Sequence, residues 1–138
     1  MAGFVKFKSI FFDRAAVLNA VDKGTKNVLS KFVAFVRTTA RHSIKKRKSA
    51  SPAGSPPSSH TGLLKKFIFF GYDRDEQSVV IGPAKLNSGT NAPHTLEHGG
   101  TSKTKGKKVH ITARPYMGPA YEKEKDKLPD LWKNSVRR

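Results

Sequence analysis

The sequence contains no cysteine. That absence removes disulfides, thiolate metal ligands and cysteine nucleophiles, and it leaves the redox compartment unread. Acidic side chains are scarce: ten Asp and Glu stand against twenty-seven Lys and Arg, for a formal net charge of +17. No acid interrupts the stretch from Lys23 to Tyr72. Such a balance implies a polyanionic neighbour, whether nucleic acid, an anionic membrane or an acidic protein surface, and allows a single basic face. Long apolar runs are also missing. The N-terminal FVKFKSIFF is broken by Lys6 and Lys8 and lacks a small-residue cleavage site, which argues against a signal peptide. No run approaches the ~18 apolar residues of a membrane span. Nor is there a G-x-S-x-G elbow, a Walker loop or a G-x-G-x-x-G fingerprint.

What is present suffices for one core. The chain has 138 residues, 36% of them hydrophobic, and residues 1–138 are read as a single domain. FVKFKSIFF alternates over its first half and predicts a strand. Asp13 is placed to cap a following helix with its carboxylate. From Arg14 to about Lys46, apolar residues recur three or four apart (Val17, Leu18, Val21, Val28, Leu29, Phe32, Val33, Val36, Ala40, Ile44), which predicts one long helix running out into KKRK. Gly24 marks a bend or a close contact in it. SASPAGSPPSSH, about 49–60, is expected to be a loop.

Leu63 to Pro83 reads as a hairpin with its turn at Asp73 to Gln77, and with Leu64, Phe67 and Phe69 on different faces of its first strand. GGTSKTKGKK, about 99–107, is expected to be a second mobile loop by its Gly, Ser and Lys content. KVHITARP resumes as a strand, and Pro119 suits the first turn of a helix from about Gly118 to Leu128. Pro129 is expected to interrupt it before an amphipathic tail with Trp132. The fold class is therefore α+β: one long N-terminal helix packed on a small, mainly antiparallel sheet, with a C-terminal helix.

One short stretch raises a catalytic question. In PHTLEHGG, His94, Glu97 and His98 spell H-x-x-E-H, whose two histidines share a helix face and whose glutamate could activate a zinc-bound water. Pro93 and Gly99-Gly100 confine it to barely two turns, and no third ligand is singled out. The competing reading is a structural loop helix in which Glu97 makes a salt bridge. His42, His60 and His110 are isolated. Glu122, Glu124, Asp126 and Asp130 alternate with Lys123, Lys125 and Lys127 in the manner of a solvated helix face. No catalytic residue, metal ligand or cofactor is expected. Two basic stretches remain, Lys45, Lys46, Arg47 and Lys48 and then Lys103, Lys105, Lys107 and Lys108, which can meet phosphates or an acidic partner. Neither sits in a helix-turn-helix, a zinc finger or an aromatic RNA-binding sheet.

SPPSSHTGLLKKFI and ARPYMGPAYEKE, at this separation and after VRTTARHSIKKRK, carry a resemblance. The chain resembles the tail-completion, or head-to-tail joining, proteins of long-tailed double-stranded DNA bacteriophages and prophages. The likeness runs through Thr61, Gly62 and Leu64, then LEHGG with Glu97, then Ala113, Arg114, Pro115, Tyr116, Pro119 and Ala120, covering roughly Val28 to Lys125 in order. Where the family usually carries an aromatic before that glutamate, this chain has Pro93-His94. The resemblance implies a non-enzymatic virion protein at the neck. Its partners would be other neck, connector and tail-terminator proteins in a homo-oligomeric ring, with nonspecific contact to packaged DNA and no membrane. Candidate interface residues are Thr61, Gly62, Leu64, Glu97, Arg114, Pro115, Tyr116, Met117, Pro119 and Tyr121. The residue-level alternatives are a sequence-nonspecific nucleic-acid-binding protein and, less favoured, a zinc hydrolase.

Overall fold

A computed structural model describes residues 13–84 and 92–136. The expected strand FVKFKSIFF lies outside the described residues. The long helix, α1, spans Arg14–Ser43. Asp13 starts it as its side-chain chemistry predicts: the Ala16 N–H donates to Asp13 Oδ1 at 2.9 Å. It ends earlier than the periodicity suggests, because Ile44 turns extended and buries its side chain in the core. KKRK is therefore not helical. Lys45–Lys46 forms a short strand, β1, in parallel register with Ser58–Ser59, β2. The proline-rich loop between them leaves and returns at one place.

Only the second half of α1 is a core helix. Phe32, Val33, Val36 and Ala40 are buried with Ile44, Leu64, Ile68, Tyr116 and Ala120. Val17, Leu18 and Val21, expected on the same apolar face, stay exposed, since the elements that cover α1 gather on its later turns. Gly24 is where cover begins. A Cβ there would lie 2.9 Å from the Ser135 carbonyl oxygen, so the glycine permits a close approach of the C-terminal tail.

Thr61-Gly62 leads into a short helix rather than a strand. α2 spans Leu63–Lys66, entered through Gly62 at φ +80°, and it points Leu64 into the core. The expected hairpin is present but begins at Ile68: β3 (Ile68–Asp73) pairs antiparallel with β4 (Ser78–Pro83). Asp73 Oδ1 accepts from the N–H groups of Asp75 and Glu76, which shapes the turn. One face of this hairpin, with Ile68, Tyr72, Val79 and Ile81, turns toward α1. The other presents Phe69, Gly71, Val80 and Gly82. Arg37 on α1 fastens the sheet by donating from Nε to the Ile68 carbonyl at 2.6 Å.

α3 spans Ala92–His98, and the segment expected to be a loop after it is a strand. β5 (Gly100–Thr104) and β6 (Lys107–Ile111) form a second antiparallel hairpin. Lys105 and Gly106 make its two-residue turn with φ +51° and +77°, the double positive φ that a type I′ turn needs. α4 (Met117–Glu124), a 3-10 turn at Lys125–Lys127 and α5 (Leu128–Trp132) complete the described elements. Pro129 sits in the first turn of α5, where its missing N–H costs nothing, so it begins a helix instead of interrupting one. The architecture is α+β, as the patterning predicts. Among the described residues its β content is three two-stranded pairs, two antiparallel and one parallel, rather than one sheet.

Candidate functional site

Two of the pieces that carry the resemblance, LEHGG and Ala-Arg-Pro-Tyr, meet at the N-terminus of α4. A helix start leaves backbone N–H groups without partners. Here Glu97, reaching across from α3, takes them. Its Oε2 accepts from the N–H groups of Tyr116 at 2.8 Å and Met117 at 3.0 Å, and its Oε1 accepts from Gly118 at 2.8 Å. The next residue, Pro119, has no N–H to satisfy. One carboxylate and one proline therefore settle the donors of the first turn, and the negative charge sits at the positive end of the helix dipole. Gly118 keeps the approach open, because a Cβ there would lie 3.2 Å from Glu97 Oε1.

Arg114 ties the same joint to its surroundings. Its backbone N–H donates to the Leu96 carbonyl at 2.6 Å, and its Nε donates to the Ser51 carbonyl at 2.8 Å. Its Nη1 reaches the Thr112 carbonyl at 3.2 Å. The Gly54 N–H donates to the Ala113 carbonyl at 2.9 Å. The proline-rich loop is thus docked on the Ala-Arg-Pro strand exit, and its own Pro57 is fully buried. On the other side, Gly99 (φ +75°) closes α3 by donating to the Thr95 carbonyl at 2.7 Å. A Cβ on Gly99 would meet the Ala113 nitrogen at 3.2 Å.

This geometry revises the expectations for single residues. In place of the expected salt bridge, Glu97 caps a helix with both oxygens. His94 and His98 share one side of α3, with ring centroids 4.7 Å apart. Their intervening glutamate is committed to backbone, not to a water between them. Among the described residues, no group of three or more His, Asp or Glu gathers around a common point. Leu64 and Tyr116 lie in the core, so they build the joint from within and offer no surface to a partner. Met117 and Pro115 are half-buried, while Thr61, Pro119 and Tyr121 are exposed. Thr61 Oγ1 accepts from the Leu63 N–H, and Ser59 Oγ accepts from the Gly62 N–H.

Burial and neighbouring groups shift the ionisation of Tyr116 and of Glu124. Tyr116 is 1% exposed, its hydroxyl has no partner among the described residues, and burial, with Glu97 nearby, pushes its pKa well above the ordinary 10.0. Glu124 is not part of a solvated face: it is 4% exposed. Thr39 Oγ1 donates to its Oε1 at 2.6 Å, and Lys127 pairs with its Oε2. Lys127 first and then Thr39 hold this carboxyl below its ordinary value despite burial. Sequence spacing carries no hint of the Thr39–Glu124 bond, which joins residues 85 positions apart.

The cations are disposed differently in the two basic stretches. Lys45, Lys46, Arg47 and Lys48 are exposed on β1 and just beyond it. Lys103, Lys105, Lys107 and Lys108 are exposed on the β5–β6 ribbon, and Lys103 stands directly opposite Lys108. No helix among the described residues is long and apolar enough to cross a membrane. The site and fold define an α+β domain with a cationic surface, in which the motif residues form a structural joint. Comparison with protein-family models, with curated proteins and with solved structures finds no match.

Proposed function

We propose that the chain is a non-enzymatic structural component of a phage particle that joins tail to head within a ring-shaped neck or tail-completion assembly. The observation that carries this reading is the convergence at α4. LEHGG and Ala-Arg-Pro, distant in sequence, are drawn together there by hydrogen bonds through Glu97 and Arg114, and the proline-rich loop is tied to the same place at Ser51 and Gly54. Motif residues used in this way specify a shape rather than a reaction.

The outer face of the β3–β4 hairpin supplies a surface suited to assembly. Phe69 and Val80 are 51% and 68% exposed, and the glycines beside them, Gly71 and Gly82, have open space where a side chain would stand. A flat apolar face of this kind favours packing against another protein. Identical subunits joined head to tail through unlike faces close into a ring. The partners are then further copies of the chain together with neck, connector and tail-terminator proteins, and the place of action is the virion.

Particles produced without this protein test the reading. Filled heads and finished tails that fail to join are expected, and joined, infectious particles would overturn it. A milder test replaces Phe69 and Val80 by Ser. The purified variant should unfold at the wild-type temperature, since neither side chain is in the core, yet fail to restore joining.

A further inference from the structure

We propose that the β5–β6 ribbon is a binding site for the phosphate backbone of duplex DNA, contacted without regard to sequence. Strand alternation sorts its side chains. Cross-strand partners share a face, so Thr101, His110, Lys103 and Lys108 lie on one side, while Ser102, Val109 and Ile111 lie on the other. The first face is exposed throughout; on the second, Ser102 and Ile111 are half-buried toward the base, where β5 meets α3. Lys105 carries the positive charge over the tip, and Lys107, two residues before Val109, adds it on the second face beside the turn.

Left to itself, this arrangement is unfavourable. Like charges placed directly opposite on a hairpin destabilise it, and Lys103 and Lys108 are such a pair. No acid occurs from Gly99 through Tyr121. None of the ribbon's lysines is in an ion pair among the described residues; the pairs there are Lys125–Glu122, Lys127–Glu124 and Lys133–Asp130. The counter-charge must come from outside the chain.

The composition of the ribbon favours duplex phosphate over other polyanions. It carries no aromatic side chain of the Phe, Tyr or Trp kind, so it lacks the stacking platform on which single strands are held. Its fixed cations are all lysine, point charges without the bidentate fork that reads guanine. A two-stranded ribbon also fits a B-form major groove about 12 Å wide. KKRK, in contrast, supplies only the two-residue strand β1 and the two residues after it, and projects no such element.

DNA binding and tail joining are separable, because the purified chain tests the first and particles lacking the protein test the second. The experiment titrates the full chain into a labelled duplex of arbitrary sequence at several salt concentrations. Four lysines on phosphates contribute about −3.6 to the slope of log K against log salt, so raising salt about fourfold weakens their share roughly a hundredfold. The variant K103A/K105A/K107A/K108A should lose that part of the slope. The variant K45A/K46A/R47A/K48A removes as many charges and should lose less than about one unit of slope. K103E supplies a second check, since it turns the Lys103–Lys108 repulsion into a cross-strand attraction: the thermal midpoint should hold or rise while duplex affinity falls severalfold. Wild-type binding by either ribbon variant overturns the proposal. So does an equal loss in the two four-fold variants, which would make binding a property of net charge alone. Retained duplex binding with lost affinity for polyglutamate would assign the ribbon to an acidic protein instead.

Discussion

Glu97 satisfies three backbone donors with two oxygens, which sets the size of the effect its loss should have. Caps of one side-chain oxygen contribute ~1 kcal/mol, and an anion at a helix N-terminus adds a few tenths to ~1 kcal/mol. Glu97→Ala should therefore destabilise the fold by about 2 kcal/mol, while Glu97→Gln, which keeps one acceptor and loses the charge, should cost about half as much. Thermal unfolding reads both; a wild-type midpoint for Glu97→Ala would show that the carboxylate does not hold α4 in solution. Tyr116 calls for the opposite expectation. Its buried hydroxyl has no partner among the described residues, so Tyr116→Phe should leave stability unchanged or raise it. Its alkaline behaviour gives the sign an independent check. Because the folded pKa is raised, the tyrosine's contribution is complete below its ordinary 10.0 and is lost as pH rises beyond it. Tyr116→Phe should remove that part of the alkaline loss, seen as a flatter dependence of the unfolding midpoint above pH ~10.

At the scale of elements, Gly24 lets the tail lie against α1. In an open helix, Gly→Ala stabilises by ~1 kcal/mol. Gly24→Ala should fail to deliver that gain and should lower the unfolding midpoint, because its Cβ would sit 2.9 Å from the Ser135 carbonyl oxygen. A rise in the midpoint would mean that the tail does not rest there. The legibility of the chain divides along the same lines. Asp13, the later turns of α1 and the β3–β4 turn are readable, since capping chemistry, period and turn residues are local signals. Val17, Leu18 and Val21 have the right period, but no described element buries them; period states which residues share a face, not where the covering elements stop. LLKK reads as part of a strand because four residues are too few to separate a helical turn from an extended run. GGTSKTKGKK hides a strand behind a loop-like composition, although Lys105-Gly106 is a turn signal in a hairpin that buries almost nothing. The Glu97 joint is not legible in the sequence, where this glutamate is expected in a salt bridge. Its partners are backbone N–H groups 19 to 21 residues away, and a backbone donor carries no residue identity to read.

For the whole molecule, charge outweighs the rest. A formal +17 on 138 residues repels itself in the compact state more than in the extended one, and the ion pairs among the described residues are few and three apart on the last helices. Screening should therefore stabilise the fold. The Debye length shrinks from ~30 Å at 0.01 M salt to ~10 Å at 0.1 M, so most of the relief should come in that interval. The unfolding midpoint is expected to climb by several degrees between those concentrations and then level off. Acid should expose the same balance. Glu124 has a lowered pKa, so the stability it contributes is present above the ordinary 4.5 and is lost as pH falls through its folded value. Protonating the other carboxylates over the same range deepens the positive excess. The salt dependence of the midpoint should accordingly be steeper at pH ~3 than at pH ~7, where carboxylates with ordinary values near ~4 are ionised. Glu124→Gln should flatten the pH profile without changing the salt response near neutral pH. A midpoint indifferent to salt at both pH values would mean that the cations are already neutralised within the fold, and that its positive surface is not the open, partner-seeking one described for the ribbon.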